Sequence, residues 1–305
     1  MAIVDSMELR HLRYLLAVAE HANFTRAAEA LHVSQPTLSQ QIKQLERSLQ
    51  VQLLDRSGRT VRLTDAGEAY TRYARQALQE LAAAERAVQD VQDLSQGALR
   101  LAMTPTFTAY LIGPLVAEFH AQHPGITLDI RELTQDRIES QLAADETDLG
   151  IAFSGALLPG ISGTALFTET LSLVVAAGHP LADRCDPMPV RELENHQLAL
   201  LSQDFATRRH IDQYLADHRV RPRICIEANS INALVEIVRR TGLATVLPHA
   251  ITREQPHLRP VPVDPALPSR TVTLLRRDAA YRSSAARAFT ALARHWAHDQ
   301  GYAPA

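Results

Sequence analysis

The stretch from Phe24 to Lys43, FTRAAEALHVSQPTLSQQIK, constrains this chain more than any other, because it parses as two short helices with a tight turn between them. The first helix carries Ala27, Ala28 and Leu31 at inward spacing, small enough for a second helix to pack close, and Asn23 stands in front as an N-cap. His32 and Val33 make the turn. Ser34 can cap the second helix, and Pro36 is tolerated there because its missing N–H falls among first-turn donors that have no intrahelical partner. Leu38, Ile42, Leu45 and Leu49 then recur at steps of four, three and four, with Gln35, Thr37, Ser39, Gln40, Lys43 and Gln44 on the opposite side. No acid lies between Ser34 and Gln44. Taken alone, this is the solvated face of an ordinary helix. It also suits base edges and phosphates: Gln pairs with adenine, Ser and Thr adapt as donors and acceptors, and a Thr methyl can meet a thymine methyl.

The residues that follow favour the second meaning. Leu53 to Thr64 reads as strand, turn, strand, with Ser57-Gly58 at the bend, so the segment is a winged helix-turn-helix by pattern. Arg56, Arg59 and Arg62 lie on or beside that hairpin, where they can reach phosphate or a narrow minor groove and position a protein on the duplex. Between Met7 and Thr64 stand eight basic residues against five acids, a local +3 in a chain of net charge −3. The expected partner is double-stranded DNA, and the expected contact residues are Thr25, Arg26, Ser34, Gln35, Pro36, Thr37, Ser39, Gln40, Lys43, Arg56, Arg59 and Arg62.

The segment from Leu9 to Gly67 resembles the DNA-binding domain of the LysR-type transcriptional regulators. The likeness rests on Leu12 to Ala19 (LRYLLAVA), Phe24-Thr25-Arg26-Ala27-Ala28, Val33-Ser34-Gln35-Pro36, Leu38-Ser39, Ile42, Leu45-Glu46, Leu54-Asp55-Arg56 and Leu63-Thr64-Asp65-Ala66-Gly67. It continues through the whole chain. In the second half it narrows toward the cyanate-operon regulators, through Ala102 to Thr108 (AMTPTFT), Asp148 to Phe153 (DLGIAF), Phe205-Ala206-Thr207-Arg208 and Ile226 to Ile231 (IEANSI). The resemblance implies an α/β chain with an N-terminal winged helix-turn-helix at 1–64, a linker and dimerisation helix at 65–94, and a two-lobed effector domain like the periplasmic binding proteins. Its first lobe takes residues 95–168 and 268–305, its second 169–267. A homodimer through the linker helix, a homotetramer made of dimers, dyad-symmetric promoters, activation of a neighbouring operon and repression of the regulator's own gene are further implications, as is a cyanate-like effector.

Periodicity supplies the linker independently. Thr64 is placed to cap a helix from about Asp65 to Leu94, rich in Ala, Gln, Leu, Glu and Arg. Tyr70, Tyr73, Ala74, Ala77, Leu81, Ala84, Val88 and Val91 form a seam at threes and fours, which calls for a partner helix or for packing within its own domain. Ser95-Gln96-Gly97 ends it as a hinge. From Ala98 strands alternate with helices: strand 99–103, helix 110–122, strand 126–132, helix 135–144, strand 148–153, then strand 170–176, strand 198–201, helix 205–218, strand 224–228, helix 231–240 and strand 243–247. Such alternation predicts parallel sheets with covering helices. A late strand at 271–276 and a helix at 283–296 lack partners in the second set, and the resemblance returns them to the first lobe.

That architecture places a ligand where loops at strand ends meet helix starts. Thr104, Pro105, Thr106 and Thr108 follow the first strand, Thr134 opens a helix, and Ser202, Phe205 and Thr207 follow a strand of the second set. Hydroxyls and free N–H groups at helix starts favour an anion, although each Ser or Thr alone is more often a helix cap. With Phe153, the residues Thr104, Pro105, Thr106, Thr134, Ser202, Phe205 and Thr207 are the expected effector contacts by resemblance, and Arg208 is a candidate counterion.

Other classes find less support. The chain lacks G-x-G-x-x-G, Walker, H-E-x-x-H, G-x-S-x-G and C-x-x-C motifs, so no catalytic residue and no cofactor is expected. Thirteen histidines are scattered, and pairs such as His11/His21, His120/His123 and His295/His298 lack nearby carboxylate or thiolate ligands, so no metal is expected either. Cys185 and Cys225 fit a reducing compartment with free thiols better than an oxidant-sensing pair. With 46% hydrophobic residues, no apolar run of about eighteen residues and no signal-peptide pattern, a cytoplasmic protein without membrane contact is expected. Residues 1–6 precede the family-like start, so a disordered extension, or Met7 as the first residue, is expected. A solute-binding protein would account for the second half of the chain but leave the helix-turn-helix idle.

Overall fold

A computed structural model describes residues 8–58, 60–90, 97–278 and 280–302. The chain forms two compact units, Met1–Val88 and Gln89–Ala305. In the first, α1 (Leu9–His21) buries His11, Leu12, Leu15 and Val18, one stripe of the helix. It starts on a reciprocal cap, the Glu8 side chain accepting the His11 N–H while the His11 ring accepts the Glu8 N–H at 3.1 Å. Ala22 ends it in the left-handed region at φ 48°. The Asn23 side chain accepts from Thr25 and Arg26 N–H to open α2 (Phe24–Ala30), and Ser34 accepts from Thr37 N–H to open α3 (Gln35–Leu49). Both caps stand where the sequence puts them. Leu15, Val18, Ala27, Ala28, Leu38, Ile42 and Leu45 close the three helices over one core with Leu53 and Leu54.

The wing is short: β1 (Leu54–Asp55) pairs antiparallel with β2 (Arg62–Leu63). The Asp55 carboxylate accepts both the N–H and the hydroxyl of Ser57, which shapes the bend and holds that carboxyl below its usual range. The Thr64 hydroxyl caps α4 (Asp65–Asp90) through Gly67 N–H at 3.0 Å. The expected end of this helix at Leu94, its seam residue Val91 and the hinge residues Ser95 and Gln96 lie outside the described residues. Gly97 is not a hinge but the first residue of a strand.

The second unit opens with β3 (Gly97–Met103). A 3₁₀ turn over Pro105–Ala109 then leads to α5 (Ile112–Gln122), so the expected helix from Tyr110 starts two residues later. Next come β4 (Ile126–Glu132), α6 (Gln135–Ala143), β5 (Leu149–Phe153) and β6 (Ile161–Ala176). After them follow β7 (Met188–Pro189), β8 (Gln197–Leu201), α7 (Ala206–Asp217), β9 (Arg223–Ala228), α8 (Ile231–Arg240) and β10 (Thr245–Pro248). The chain closes with α9 (His249–Glu254), β11 (Leu258–Val261), β12 (Val263–Asp264), β13 (Ser269–Arg277) and α10 (Ser284–Asp299).

The sheets correct the all-parallel expectation. β3 pairs parallel with β4 and β5, and β8 with β9, but β13 runs antiparallel to both β5 and β6, and β10 and β11 run antiparallel to β6. The cause is β6 itself. It begins at Ile161 rather than near Thr170, and in its first half no position from Ser162 to Leu166 is buried and two are the small residues Gly163 and Ala165, a weak hydrophobic signal. That half pairs with β13, whereas Leu171–Ala176 pairs with β10 and β11, so one strand belongs to two groups of neighbours. The late strand and helix do return to the first set: β13 lies between β5 and β6, and α10 packs on α5 and β3.

Candidate functional site

In the first unit the expected DNA-facing residues of α2 and α3 lie on the surface. Thr25, Arg26, Ser34, Gln35, Pro36, Thr37, Gln40 and Lys43 are exposed and Ser39 is half-buried, while Leu38, Ile42 and Leu45 hold the helix from behind. Two of these side chains are already engaged. The Ser34 and Thr37 hydroxyls share a hydrogen bond of 2.7 Å, which fixes the Thr37 side chain and leaves its methyl group and the remaining capacity of its hydroxyl on the exposed face. Arg56 is not free as the sequence suggests: its guanidinium donates to Glu46 at 2.9 Å and lies 5.3 Å from the Phe24 ring centre. Glu46 also accepts the N–H groups of Leu53 and Leu54 at 3.0 and 3.1 Å, so one carboxylate ties α3 to the wing. Arg62 is exposed on β2, and Arg59 lies outside the described residues. Sequence reasoning missed Glu46 and the bond between the His11 ring and Gln41 at 2.9 Å, which lock α3 to its neighbours.

In the second unit a cleft of about 790 Å³ opens between the 3₁₀ turn after β3 and the starts of α6 and α7. Of the eight expected effector contacts, Thr104, Pro105, Thr106, Thr134, Phe153 and Phe205 line it. Thr207 and Ser202 do not. Thr207 is fully buried, its hydroxyl 3.5 Å from that of Thr106, and the Ser202 hydroxyl is buried without a hydrogen-bond partner among the described residues. Arg208 is withdrawn as a counterion: it is 4% exposed and pairs with Asp212 and Glu227 at 2.8 Å each while donating to Leu201 O at 2.8 Å. It fastens α7 to β8 and β9.

The two sides of the cleft differ electrostatically. Asn23, Ser34, Ser230 and Ser283 cap α2, α3, α8 and α10 with their side chains, but Thr104, Thr134 and Phe205, at the starts facing the cleft, do not cap. At α6 the Asp136 carboxylate fills that role. The Thr134 hydroxyl and the first N–H groups of the helix bind it, which lowers its pKa. Glu139, 6% exposed, accepts Leu158 N–H at 2.9 Å and the Gln135 amide at 3.2 Å. At α7 the N–H groups of Ala206 and Thr207 carry no partner among the described residues, and Arg209 and His210 stand beside them, with Asp204 the one acid on that side. The Thr104 hydroxyl, 5% exposed, likewise has no partner among the described residues. The sequence did not single out Asp136, Glu139, Asp204, Arg209 or His210. Asp204, between Ser202 and Phe205, Asp136, two residues after Thr134, and Arg209, two after Thr207, lie close in the chain to expected contacts.

Comparison with known proteins settles the family. Residues 9–68 match the model for the bacterial regulatory helix-turn-helix protein, lysR family, and residues 92–297 match the LysR substrate binding domain. The chain belongs to the LysR family of transcriptional regulators. It is 32% identical over 291 residues to a probable RuBisCO transcriptional regulator of Nostoc sp., covering 92% of this chain and 86% of that protein. It is also 32% identical over 239 residues to the regulator AlsR of Bacillus subtilis, covering 76% and 77%. A full-length OxyR from Pseudomonas aeruginosa, solved as a cysteine-to-aspartate variant, shares the fold at TM-score 0.69 and 26% identity, covering 94% of this chain and 93% of that one. As a LysR-family regulator, the chain joins a DNA-binding unit to an effector-binding unit, and the two surfaces above fall one in each. The names of these three relatives do not include the cyanate-operon regulators. No described helix is long and apolar enough to cross a membrane.

Proposed function

We propose that this LysR-family regulator reads a dyad-symmetric promoter with α3 while the wing grips phosphate, as a homodimer paired along α4 and a tetramer of such dimers. A small anion held in the cleft then shifts the balance between two arrangements of the effector unit, taken as lobes 95–168 with 268–305 and 169–267. The cleft draws residues from both lobes, Thr104 to Phe153 from one and Gln203 to His210 from the other, so a ligand that touches both favours their closed arrangement. The resemblance adds the targets: a neighbouring operon and the regulator's own gene.

The observation that carries the anion is the start of α7, where Arg209 and the Ala206 N–H, without a partner among the described residues, line the cleft, with the buried unpartnered Thr104 hydroxyl lining it from the other lobe. Cyanate is the narrowest reading and rests on the sequence likeness of the second half. The acids Asp136 and Glu139 on the opposite side favour a second reading, a small carboxylate whose far end donates a hydrogen bond, as a hydroxyl or ammonium group does. Calorimetry of the full chain with cyanate, azide, bicarbonate, glycolate and glycine tests both. Heat with at least one anion that disappears in Thr104→Val is expected, and preference for glycolate or glycine selects the second reading. Silence with all five removes the small-anion assignment.

For the reading head, a gel shift with the DNA beside its own gene should give a specific complex that weakens as salt rises. Gln35→Ala should relax sequence preference, whereas Arg62→Ala should weaken all sequences alike; equal loss in both would contradict this division of roles.

A further inference from the structure

A second cavity, of about 250 Å³, lies in the effector unit between the end of β13 and the first half of α10, away from the residues that line the effector cleft. Its walls hold five arginines: Arg276 and Arg277 from β13, Arg282 from the following loop, and Arg287 and Arg294 from α10. The last two stand seven residues apart, so they share one helix face. The floor is apolar, made by Leu149 and Leu274, and the exposed ring of Tyr281 stands at the rim.

Two carboxylates also line the cavity, but both are engaged. Asp148 is gripped by Arg100, at 2.6 Å to one oxygen and by its backbone N–H at 2.8 Å to the other, and Asp145 pairs with Arg277 at 3.4 Å. Arg276, Arg282 and Arg294 have no salt-bridge or hydrogen-bond partner for their guanidinium groups among the described residues. The start of α10, capped by Ser283, adds the positive end of a sixteen-residue helix to the same side. Three uncompensated guanidiniums around one small mouth repel one another, and a single carboxylate neutralises only one of them. A group with two or more negative charges compensates the set, and the planar fork of each arginine pairs bidentately with phosphate oxygens. The apolar floor and the tyrosine ring supply what bare phosphate does not use, a surface for a flat or apolar body.

We propose that this cavity is a second ligand site, taking an organic phosphate with at least two negative charges and a planar body, as in a nucleoside diphosphate. It does not depend on the small-anion reading of the cleft. Binding here neutralises charge beside Asp145 and Asp148, and Asp148 in turn holds Arg100 of β3, so occupancy is felt at the first strand of the effector unit.

Calorimetry of the full chain with adenosine diphosphate, inorganic pyrophosphate and acetate tests it. Adenosine diphosphate should bind more tightly than pyrophosphate, acetate should give no heat in the Thr104→Val chain, and the double variant Arg282→Ala/Arg294→Ala should lose affinity about tenfold or more. Thr104→Val should bind adenosine diphosphate as the unaltered chain does, which separates this site from the cleft. Undiminished affinity in the double variant places the binding elsewhere, at the basic reading head for example, and overturns the proposal. So does an absence of heat with both phosphates. If the double variant instead changes the sedimenting mass while phosphates give no heat, the arginines serve a subunit contact and the proposal falls.

Discussion

At the scale of single residues, two positions carry more than their sequence context announces. Gly67, inside the first turn of α4, lies so close to the wing that an added Cβ would stand 2.0 Å from Leu53 O, and that carbonyl is already accepting Thr64 N–H at 3.0 Å. Gly67→Ala must push the linker helix off the wing. It should cost about 1–3 kcal/mol, the range of overpacked interiors, read as a lower denaturation midpoint of the helix-turn-helix unit. The second position is Glu169, 1% exposed, which pairs with Arg270 at 2.5 Å and accepts the hydroxyl of Tyr110. The Arg270 guanidinium lies 3.6 Å from the centre of the Phe153 ring, so the pair braces the residue at the back of the effector cleft. Glu169→Ala leaves a buried cation without its partner and should destabilise by about 3–5 kcal/mol in chemical denaturation. Neither role was legible beforehand. A glutamate in the run FTETLS gives no sign of burial, and Arg270, its partner, lies about a hundred residues away in the chain.

At the scale of elements, capping was the most legible feature. Asn23, Ser34, Thr64 and Ser283 each accept a first-turn N–H where the sequence suggested a helix start, because a cap is a bond across two or three residues. The linker seam is legible in the same local way. Tyr73 is 66%, Leu81 43% and Val88 67% exposed in the single chain, an apolar stripe left open along α4. Paired with a second copy of α4 it would be buried. Leu81→Glu with Val88→Glu should therefore shift the protein toward monomer in analytical ultracentrifugation and weaken promoter binding together with it, while the cores of both units, which these residues do not join, keep their thermal stability. An unchanged mass would show that the stripe does not join subunits. β6 was the element least legible, since half of its sixteen residues alternate weakly and its partners β13, β10 and β11 all come more than sixty residues later.

At the scale of the molecule, pH dependence joins these groups. Burial pushes the phenol of Tyr302 up to about 12, where it stacks on Phe167 at 4.3 Å, and raises Tyr110 well above its usual range, with Glu169 adding to the effect. A phenol whose pKa is raised by folding contributes stability that is complete below its unfolded value near 10 and is lost as pH rises through the folded value. Denaturation midpoints should therefore be flat up to about pH 10 and fall toward about pH 12, and Tyr302→Phe should shallow that fall. By itself the sequence determined the reading head, the caps, the amphipathic seam and the order of most elements in the effector unit, and its resemblance to the family pointed to eight effector contacts, six of which line the cleft. All of these depend on interactions between residues a few positions apart, or on loops that strand–helix alternation places by rule. Only the tertiary structure decided the antiparallel course of β6 and β13, the diversion of Arg56 and Arg208 into ion pairs that hold elements together, and the acids on one wall of the cleft. It also decided the gathering of unpaired arginines beside α10. Which charge meets which is set by where distant strands and helices come to rest, and no local pattern in the chain records that.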